Sequence, residues 1–221
     1  MSETSLTILL WTAVSIGVVH TLMGPDHYLP FIAIGKARNW SLSKALFITS
    51  ACGLGHVFSS VLIGTLGIAL GSAVGSLEVI ESVRGDIASY ALIIFGLLYG
   101  VWGLWRARHG HRHKHLPGGG HLDERNSKSV TFWTLFIIFA LGPCEPLIPL
   151  LIFPAVQHNW QGVLLVTLFF GTATIGTMCL IVFASLKGLA VVKTDSMEKY
   201  IHALAGAIIV ASGISIKLFG L

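Results

Sequence analysis

The sequence predicts an all-α integral membrane protein that crosses the bilayer several times. Hydrophobic residues make up 54% of the 221 residues, charged residues only 11%, and the mean hydropathy is +0.80. Soluble domains carry about 25% charged residues, so this chain cannot cover itself with a solvated surface. The few charges are also clustered, and they leave long apolar runs between them. A cytosolic enzyme, a disordered chain and a disulfide-stapled secreted module are therefore excluded.

Six membrane segments are predicted from these apolar runs, because a helix needs about 20 residues to cross the hydrocarbon core. They lie near 5–34, 43–72, 87–106, 129–156, 161–186 and 199–219. Breaks are expected at Gly24-Pro25 in the first segment and at Gly142-Pro143, Pro146 and Pro149 in the fourth, since proline interrupts helical hydrogen bonding. The first segment lacks the basic start of a cleaved signal peptide.

Lysine and arginine are distributed unequally between alternate connectors. Twelve of the 14 basic residues fall in the first, third and fifth connectors, and only Arg84 and Lys217 lie on the other side. Basic connectors face the cytoplasm, so both termini are expected outside an inner or plasma membrane and the 107–128 loop inside. Because the net charge of +4 comes from these short connectors, it does not indicate nucleic-acid binding.

An internal repeat is predicted from two matching Gly-Pro sequences. Gly24-Pro25-Asp26-His27 and Gly142-Pro143-Cys144-Glu145 lie 118 residues apart. At the same offset, two polar helical faces correspond: Thr49, Gly53, His56 and Ser60 match Thr167, Gly171, Thr174 and Met178. Asn39-Trp40 is matched to Asn159-Trp160 with a two-residue shift.

Each half of this repeat contains three spans, so the halves must enter the membrane with opposite polarity. The prediction is two inverted three-helix repeats with broken first helices, at 1–106 and 129–221, joined by a His-rich cytoplasmic loop at 107–128.

Polar residues inside the apolar segments indicate a metal site. Asp26 and Glu145 are the two acidic residues in these segments, and a carboxylate at mid-bilayer costs about 2.5–3.5 kcal/mol. Imidazoles, carboxylates and a thiol beside unwound backbone form a mixed ligand set that suits a borderline transition metal. The predicted metal residues are His20, Asp26, His27, His56, Cys144 and Glu145. Two alternatives stay open: His20 and His56 as interior histidines bonded to carbonyls, and the carboxylates as proton carriers.

The connecting loop holds a second group of histidines. Five of them fall within thirteen residues: His109, His111, His113, His115 and His121. Such a tract can collect Ni, Co, Zn or Cu with little geometric selection. The alternative is a basic linker held to the cytoplasmic leaflet, in which histidine has no ligand role.

The spaced His20, Asp26 and His27, together with the two Gly-Pro sequences, resemble the NicO/UreH-type nickel–cobalt transporters. That group belongs to a larger superfamily with LysE-type exporters and CcdA-type thiol conduits. The resemblance runs from His20 to Met178, and it implies a six-helix transporter with these three residues on the metal path. Five residues separate His20 from Asp26, where the classical nickel permease motif has four.

The sequence thus predicts a secondary transporter of divalent transition metal ions, nickel or cobalt first, with no enzymatic activity and no bound cofactor. Its expected partners are the lipid bilayer and the transported ion, and a homo-oligomer is left open. The alternatives are a CcdA-like thiol or electron conduit and an exporter of a small anionic sulfur compound. The conduit would require reactive cysteines, and Cys52, Cys144 and Cys179 lie in apolar stretches without CxxC spacing.

Overall fold

The protein is helical throughout the residues that the computed structural model describes, which are 3–70, 74–109, 121–191 and 198–219. Short 3₁₀ turns at Pro25–His27 and Glu198–Tyr200 precede the second and the last helix. The helices are α1 (Glu3–Met23), α2 (Leu29–Ala37), α3 (Leu42–Ala69), α4 (Val74–His109), α5 (His121–Leu141), α6 (Leu147–Val156), α7 (Trp160–Val191) and α8 (Ile201–Phe219).

Five of these helices (α1, α3, α4, α7 and α8) are long and apolar enough to cross a membrane. Thr131–Leu141 of α5 and Leu147–Val156 of α6 are shorter apolar helices. The predicted all-α polytopic membrane fold is thereby confirmed.

Both Gly-Pro breaks are present where they were expected. The first break separates α1 from α2, and the second separates α5 from α6. Pro146 caps the start of α6, whereas the break predicted at Pro149 is wrong because Pro149 lies in the first turn of that helix, where proline is tolerated. At the first break the His27 N–H donates a hydrogen bond to the Gly24 carbonyl at 3.1 Å. At the second the Leu147 N–H donates to the Cys144 carbonyl at 3.0 Å. Proline supplies no N–H to continue the α-helical pattern, so a tight turn replaces it.

The helices of the two halves pack reciprocally. The helix before the first break, α1, packs on α7, and its counterpart α5 packs on α3. The counterparts α3 and α7 pack on each other, and so do α4 and α8. Exchanging the halves therefore preserves these pairings, as two inverted repeats require.

The ends of α2 and α6 give the register of the repeat. Asn39 follows α2 with a φ of 50°, and His158 follows α6 with a φ of 53°. In both halves the next N–H donates to the carbonyl five residues earlier at 2.9 Å, as in a Schellman helix end. Asn39 thus corresponds to His158, and its predicted equivalence with Asn159 is wrong by one residue.

Helix α4 starts well before the predicted third segment. Its range includes residues 78–86, which fall between the predicted second and third segments. Glu81 and Arg84 are buried within it, with 0% and 8% exposure. The prediction from uncharged runs placed the start of this segment too late, because Glu81 and Arg84 form an ion pair with each other. A paired charge can be buried where a lone charge cannot.

Glycines allow α4 and α8 to approach at backbone distance. A Cβ on Gly206 of α8 would lie 2.4 Å from the Gly100 backbone, and one on Gly103 would lie 2.5 Å from the Ala203 nitrogen. Small residues of this kind are typical of helix contacts in membranes. No sequence match relates the two helices, so only their packing pairs them.

Candidate metal centre

Three histidines converge beside the first break. His20 lies in the last turn of α1, His27 ends the following 3₁₀ turn, and His56 lies midway along α3. One ligand atom from each imidazole lies within 4.8 Å of the other two. The His27 ring is central, with its centroid 4.7 Å from that of His20 and 5.1 Å from that of His56.

The local backbone explains this convergence. The last turn of α1 ends with the Gly24 N–H bonded to the His20 carbonyl at 3.0 Å. The Pro25–His27 3₁₀ turn follows, and the His27 ring lies edge-on to the His20 ring. His56 is on the buried polar face of α3, where Thr49 and Ser60 are fully buried as well.

Each of two imidazoles uses its Nδ1 to contact a backbone carbonyl. His27 Nδ1 lies 3.2 Å from the Gly24 oxygen, and His56 Nδ1 lies 3.2 Å from the Phe139 oxygen. A carbonyl only accepts hydrogen bonds, so Nδ1 must carry the proton and a neutral ring keeps its lone pair on Nε2. This is how metal-ligating histidines are oriented by a second partner.

The remaining nitrogens are buried and unpartnered. The Nε2 atoms of His20, His27 and His56 have no hydrogen-bond partner among the residues that the structure describes. Leaving a buried polar atom unpaired costs about 1–3 kcal/mol, and here three such atoms occur in one cluster. A ligand that accepts three nitrogen lone pairs would remove that cost.

Asp26 lies behind His27. Its Oδ1 is 3.3 Å from His27 Nδ1, on the ring edge opposite the unpartnered Nε2. This Oδ1 has no hydrogen-bond partner among the described residues, and His27 Nδ1 lies 3.2 Å from the Gly24 carbonyl oxygen. A carboxylate beside the ring raises the basicity of the imidazole. Asp26 lies outside the group of three imidazole nitrogens, and its role as a ligand stays a prediction.

Two other predicted ligands lie apart from the imidazole group. Neither Cys144 nor Glu145 belongs to the set of ligand atoms that converge within 4.8 Å among the described residues. Cys144 is fully buried in an apolar cluster with Leu147 and Phe170. Cys144 and Glu145, the repeat equivalents of Asp26 and His27, therefore do not join the imidazole group. The helices that precede the two breaks, α1 and α5, pack against different helices.

Glu145 instead lines two neighbouring cavities. One has a volume of about 410 Å³ and reaches His20, with Met23 and Pro143 in its wall. The other has a volume of about 490 Å³ and is lined by Glu78 and Glu81 as well as Glu145. The exposed Glu145 side chain therefore stands between an acidic cavity and the cavity that leads to the imidazoles.

Only one of the loop histidines has a described side chain. His109 ends α4, where its Nδ1 lies 2.9 Å from the Trp105 carbonyl oxygen. His111, His113 and His115 lie outside the described residues, and His121 is described only as the first residue of α5. The predicted metal-collecting role of this group is not tested by the structure.

The fold and the site define a polytopic helical membrane protein with a buried cluster of three imidazoles. A family profile described as "Cytochrome C biogenesis protein transmembrane region" matches residues 29–215. The chain therefore belongs to that family of membrane proteins. No curated protein and no solved structure gives a significant match.

The family match supports the wider membrane superfamily predicted from the sequence, but not its nickel–cobalt branch. It agrees better with the CcdA-like alternative than with metal transport. The matched region begins at residue 29, so it contains His56 and the second break but not His20, Asp26 or His27. Most of the imidazole cluster thus lies in the part of the chain that the profile leaves out.

Proposed function

We propose that the protein carries a divalent transition metal ion across the membrane, with the ion bound by His20, His27 and His56. The observation that carries this proposal is the set of three buried, unpartnered Nε2 atoms beside a helix break. Nickel and cobalt are the first substrates to test. The proposal does not depend on the family name, which favours a different activity.

The chemistry of the cluster suits this cargo. Imidazole is a good ligand for nickel, copper and zinc, whereas magnesium and calcium prefer oxygen. Metal–nitrogen bonds of about 2.0–2.1 Å place two tetrahedral ligands of one ion about 3.4 Å apart. The three nitrogens lie within 4.8 Å of one another, so they would have to move closer together, by rotation of the rings and shifts of the helices, to bind one ion.

The cavities supply a route to this centre. An ion reaching the Glu78 side of the acidic cavity would pass Glu145 before it met His20. In this proposal Glu145 attracts the cation at the mouth and the imidazoles select it. No Walker A sequence is present, so the movement would be secondary transport coupled to protons or to the ion gradient.

The decisive experiment is metal flux into and out of liposomes that contain the purified protein in known orientation. Ni, Co, Zn, Mn and Fe are compared, and binding of each is measured on the same preparation. His27→Ala is expected to abolish both binding and flux. The matched control is His158→Asn, which replaces an exposed histidine outside the cluster with a residue that tolerates its positive φ. Unchanged binding in His27→Ala would refute the proposal.

A second candidate function is transmembrane thiol–disulfide exchange, and the family match favours it. Cys52, Cys144 and Cys179 are all free, so thiols are present for such a reaction. Two of them occupy separate apolar clusters, Cys52 with Phe31 and Cys144 with Phe170. Exchange between those two thiols would require the halves to move.

This candidate is tested by the redox state of the thiols. The protein is placed in liposomes that enclose a peptide with one disulfide, and a membrane-impermeant dithiol is added outside as the reductant. The thiols formed on the enclosed peptide are counted by alkylation and mass spectrometry. Reduction of the enclosed disulfide by the outside dithiol, lost in Cys144→Ser, would establish the conduit and displace metal transport as the function.

A further inference from the structure

A buried ion pair contacts the backbone of the second break. Glu81 and Arg84 are one helical turn apart on α4, and their side chains are 1% and 10% exposed. Neither was predicted to have a role. A buried pair of this kind is weak evidence for stability, so its neighbours indicate what it does.

The Arg84 guanidinium reaches the end of α5. Its Nη2 donates to the Ala140 carbonyl at 2.9 Å and to the Gly142 carbonyl at 3.1 Å. The same nitrogen lies 2.7 Å from Ser59 Oγ, so one of its two N–H groups is shared between two of these three acceptors. The other nitrogen, Nη1, donates to Ser60 Oγ at 3.2 Å and to Glu81. One side chain thus ties α3 and α4 to the carbonyls that the second break leaves free.

Glu81 completes the arrangement from the other side. Its Oε2 accepts the Cys144 backbone N–H at 3.0 Å and the Ser60 hydroxyl at 3.2 Å. Together the two charged side chains satisfy an N–H and two carbonyls of the broken backbone. The path of the chain from Ala140 to Cys144 is therefore held by side chains from α4.

This held backbone touches the metal cluster. A Cβ on Gly142 would lie 3.2 Å from His56 Nδ1, so the Gly142 backbone packs against that ring. The Phe139 carbonyl, one turn earlier on α5, accepts from the same His56 Nδ1 at 3.2 Å. The Gly142 N–H also bonds the Phe139 carbonyl at 3.0 Å. Movement of Gly142 would thus disturb both the packing and the hydrogen bond that orient His56.

We infer that Arg84, braced by Glu81, is a positioning residue that sets the orientation of the His56 imidazole in the three-histidine centre. The inference rests on the proposed function for the identity of the bound metal ion. The contacts between Arg84, the α5 backbone and His56 are observed independently of that function. Arginine suits this role because its planar fork donates in several fixed directions at once. Lysine keeps the charge but cannot reproduce that fork.

The test uses full-length protein in detergent or nanodiscs and Co²⁺ as the probe. Co²⁺ titration gives the affinity, and the visible absorption bands of bound Co²⁺ report its coordination geometry. Arg84→Lys is expected to weaken binding about 10–100-fold, as loss of an orienting partner does, and to change the bands. A Glu81→Gln, Arg84→Gln double variant removes both charges, so it leaves no unpaired charge and keeps the test available if Arg84→Lys does not fold.

Asp86→Asn is the matched control. Asp86 is on the same helix, but its side chain is 52% exposed and pairs with Lys217 of α8, so its loss should leave affinity and bands unchanged. Wild-type affinity and bands in both Arg84 variants would overturn the inference.

A second readout needs no metal. The rate at which diethyl pyrocarbonate modifies His56 is followed by mass spectrometry, and it should rise several-fold in the Arg84 variants but not in Asp86→Asn. If wild-type protein binds no Co²⁺ or other metal, the proposed function fails, while this rate still decides whether Arg84 positions His56. An unchanged rate refutes the positioning role.

Discussion

The two breaks begin with the same Gly-Pro pair but differ in how their polar groups are bonded. At the first break, the turn places His27 so that its Nε2 is buried and unpartnered. At the second break, the backbone polar groups are bonded by Arg84 and Glu81 from another helix. One half of the repeat therefore presents open ligands, and the other supports them through His56.

This difference teaches that a repeat preserves the course of the chain rather than the chemistry on it. Asp26 and Cys144 are equivalent by sequence offset, and so are His27 and Glu145. In the structure His27 is almost fully buried, whereas Glu145 is exposed at a cavity mouth. Exchanging or removing equivalent residues is therefore the sharpest way to test which half binds the ion.

The largest contrast is expected between His27→Ala and Glu145→Gln. Removing the central imidazole deletes a ligand, so metal affinity should fall by more than the roughly 100-fold that loss of an orienting partner costs. Glu145→Gln should slow flux and leave equilibrium affinity within about tenfold, because that side chain lies outside the imidazole group. Calorimetric titration with Ni²⁺ and liposome flux measure the two quantities. Equal losses of affinity would place both halves in one site.

The next contrast is between Gly24→Ala and Gly142→Ala. A Cβ on Gly24 would lie 2.6 Å from His27 Nδ1, whereas one on Gly142 would lie 3.2 Å from His56 Nδ1. The Gly24 backbone has a φ of −90°, which alanine adopts freely, so the collision alone causes the effect. Gly24→Ala should lower metal affinity about 10–100-fold by displacing His27, and Gly142→Ala should lower it less. The reverse order in the same titration would contradict this comparison.

A third contrast concerns Asp26→Asn and Cys144→Ser. The amide keeps the shape of Asp26 but loses the charge that raises the basicity of His27, so metal affinity should fall about tenfold or more. Cys144→Ser should leave affinity nearly unchanged, because the thiol is buried in an apolar cluster. Binding titrations of both variants, with thermal unfolding as a check on folding, give the answer. If Cys144→Ser abolishes activity and Asp26→Asn is silent, the thiol conduit becomes the better function.

The smallest effect is expected from the loop. Replacing its five histidines together with serine should raise the half-saturating metal concentration on the cytoplasmic side by a few-fold, because such a tract collects ions without selecting them. The replaced residues are His109, His111, His113, His115 and His121. The maximal rate and the order of preferred metals should not change in oriented liposomes. A changed order would make the loop the selective element.

Much of the fold could be predicted because apolar runs and prolines act locally. The six segments, both breaks and the polar face of α3 follow from the spacing of residue types along the chain. The start of α4 could not be predicted this way, because it depends on whether Glu81 and Arg84 find each other and two serines on α3. The sequence feature that could have predicted this start is the spacing of Glu81 and Arg84, one helical turn apart, together with the adjacent serines Ser59 and Ser60 on α3.

By itself, the sequence determined that the chain is a helical membrane protein with two Gly-Pro breaks and that histidines and carboxylates lie near those breaks. Only the tertiary structure decided that His20, His27 and His56 share a centre while Cys144 and Glu145 do not. It also decided that Nε2, rather than Nδ1, is left to bind a metal in His27 and His56. The Nδ1 atoms of these rings contact the backbone carbonyls of Gly24 and Phe139. Every residue has a carbonyl, so no pattern of side chains reveals which one a folded chain brings to a histidine.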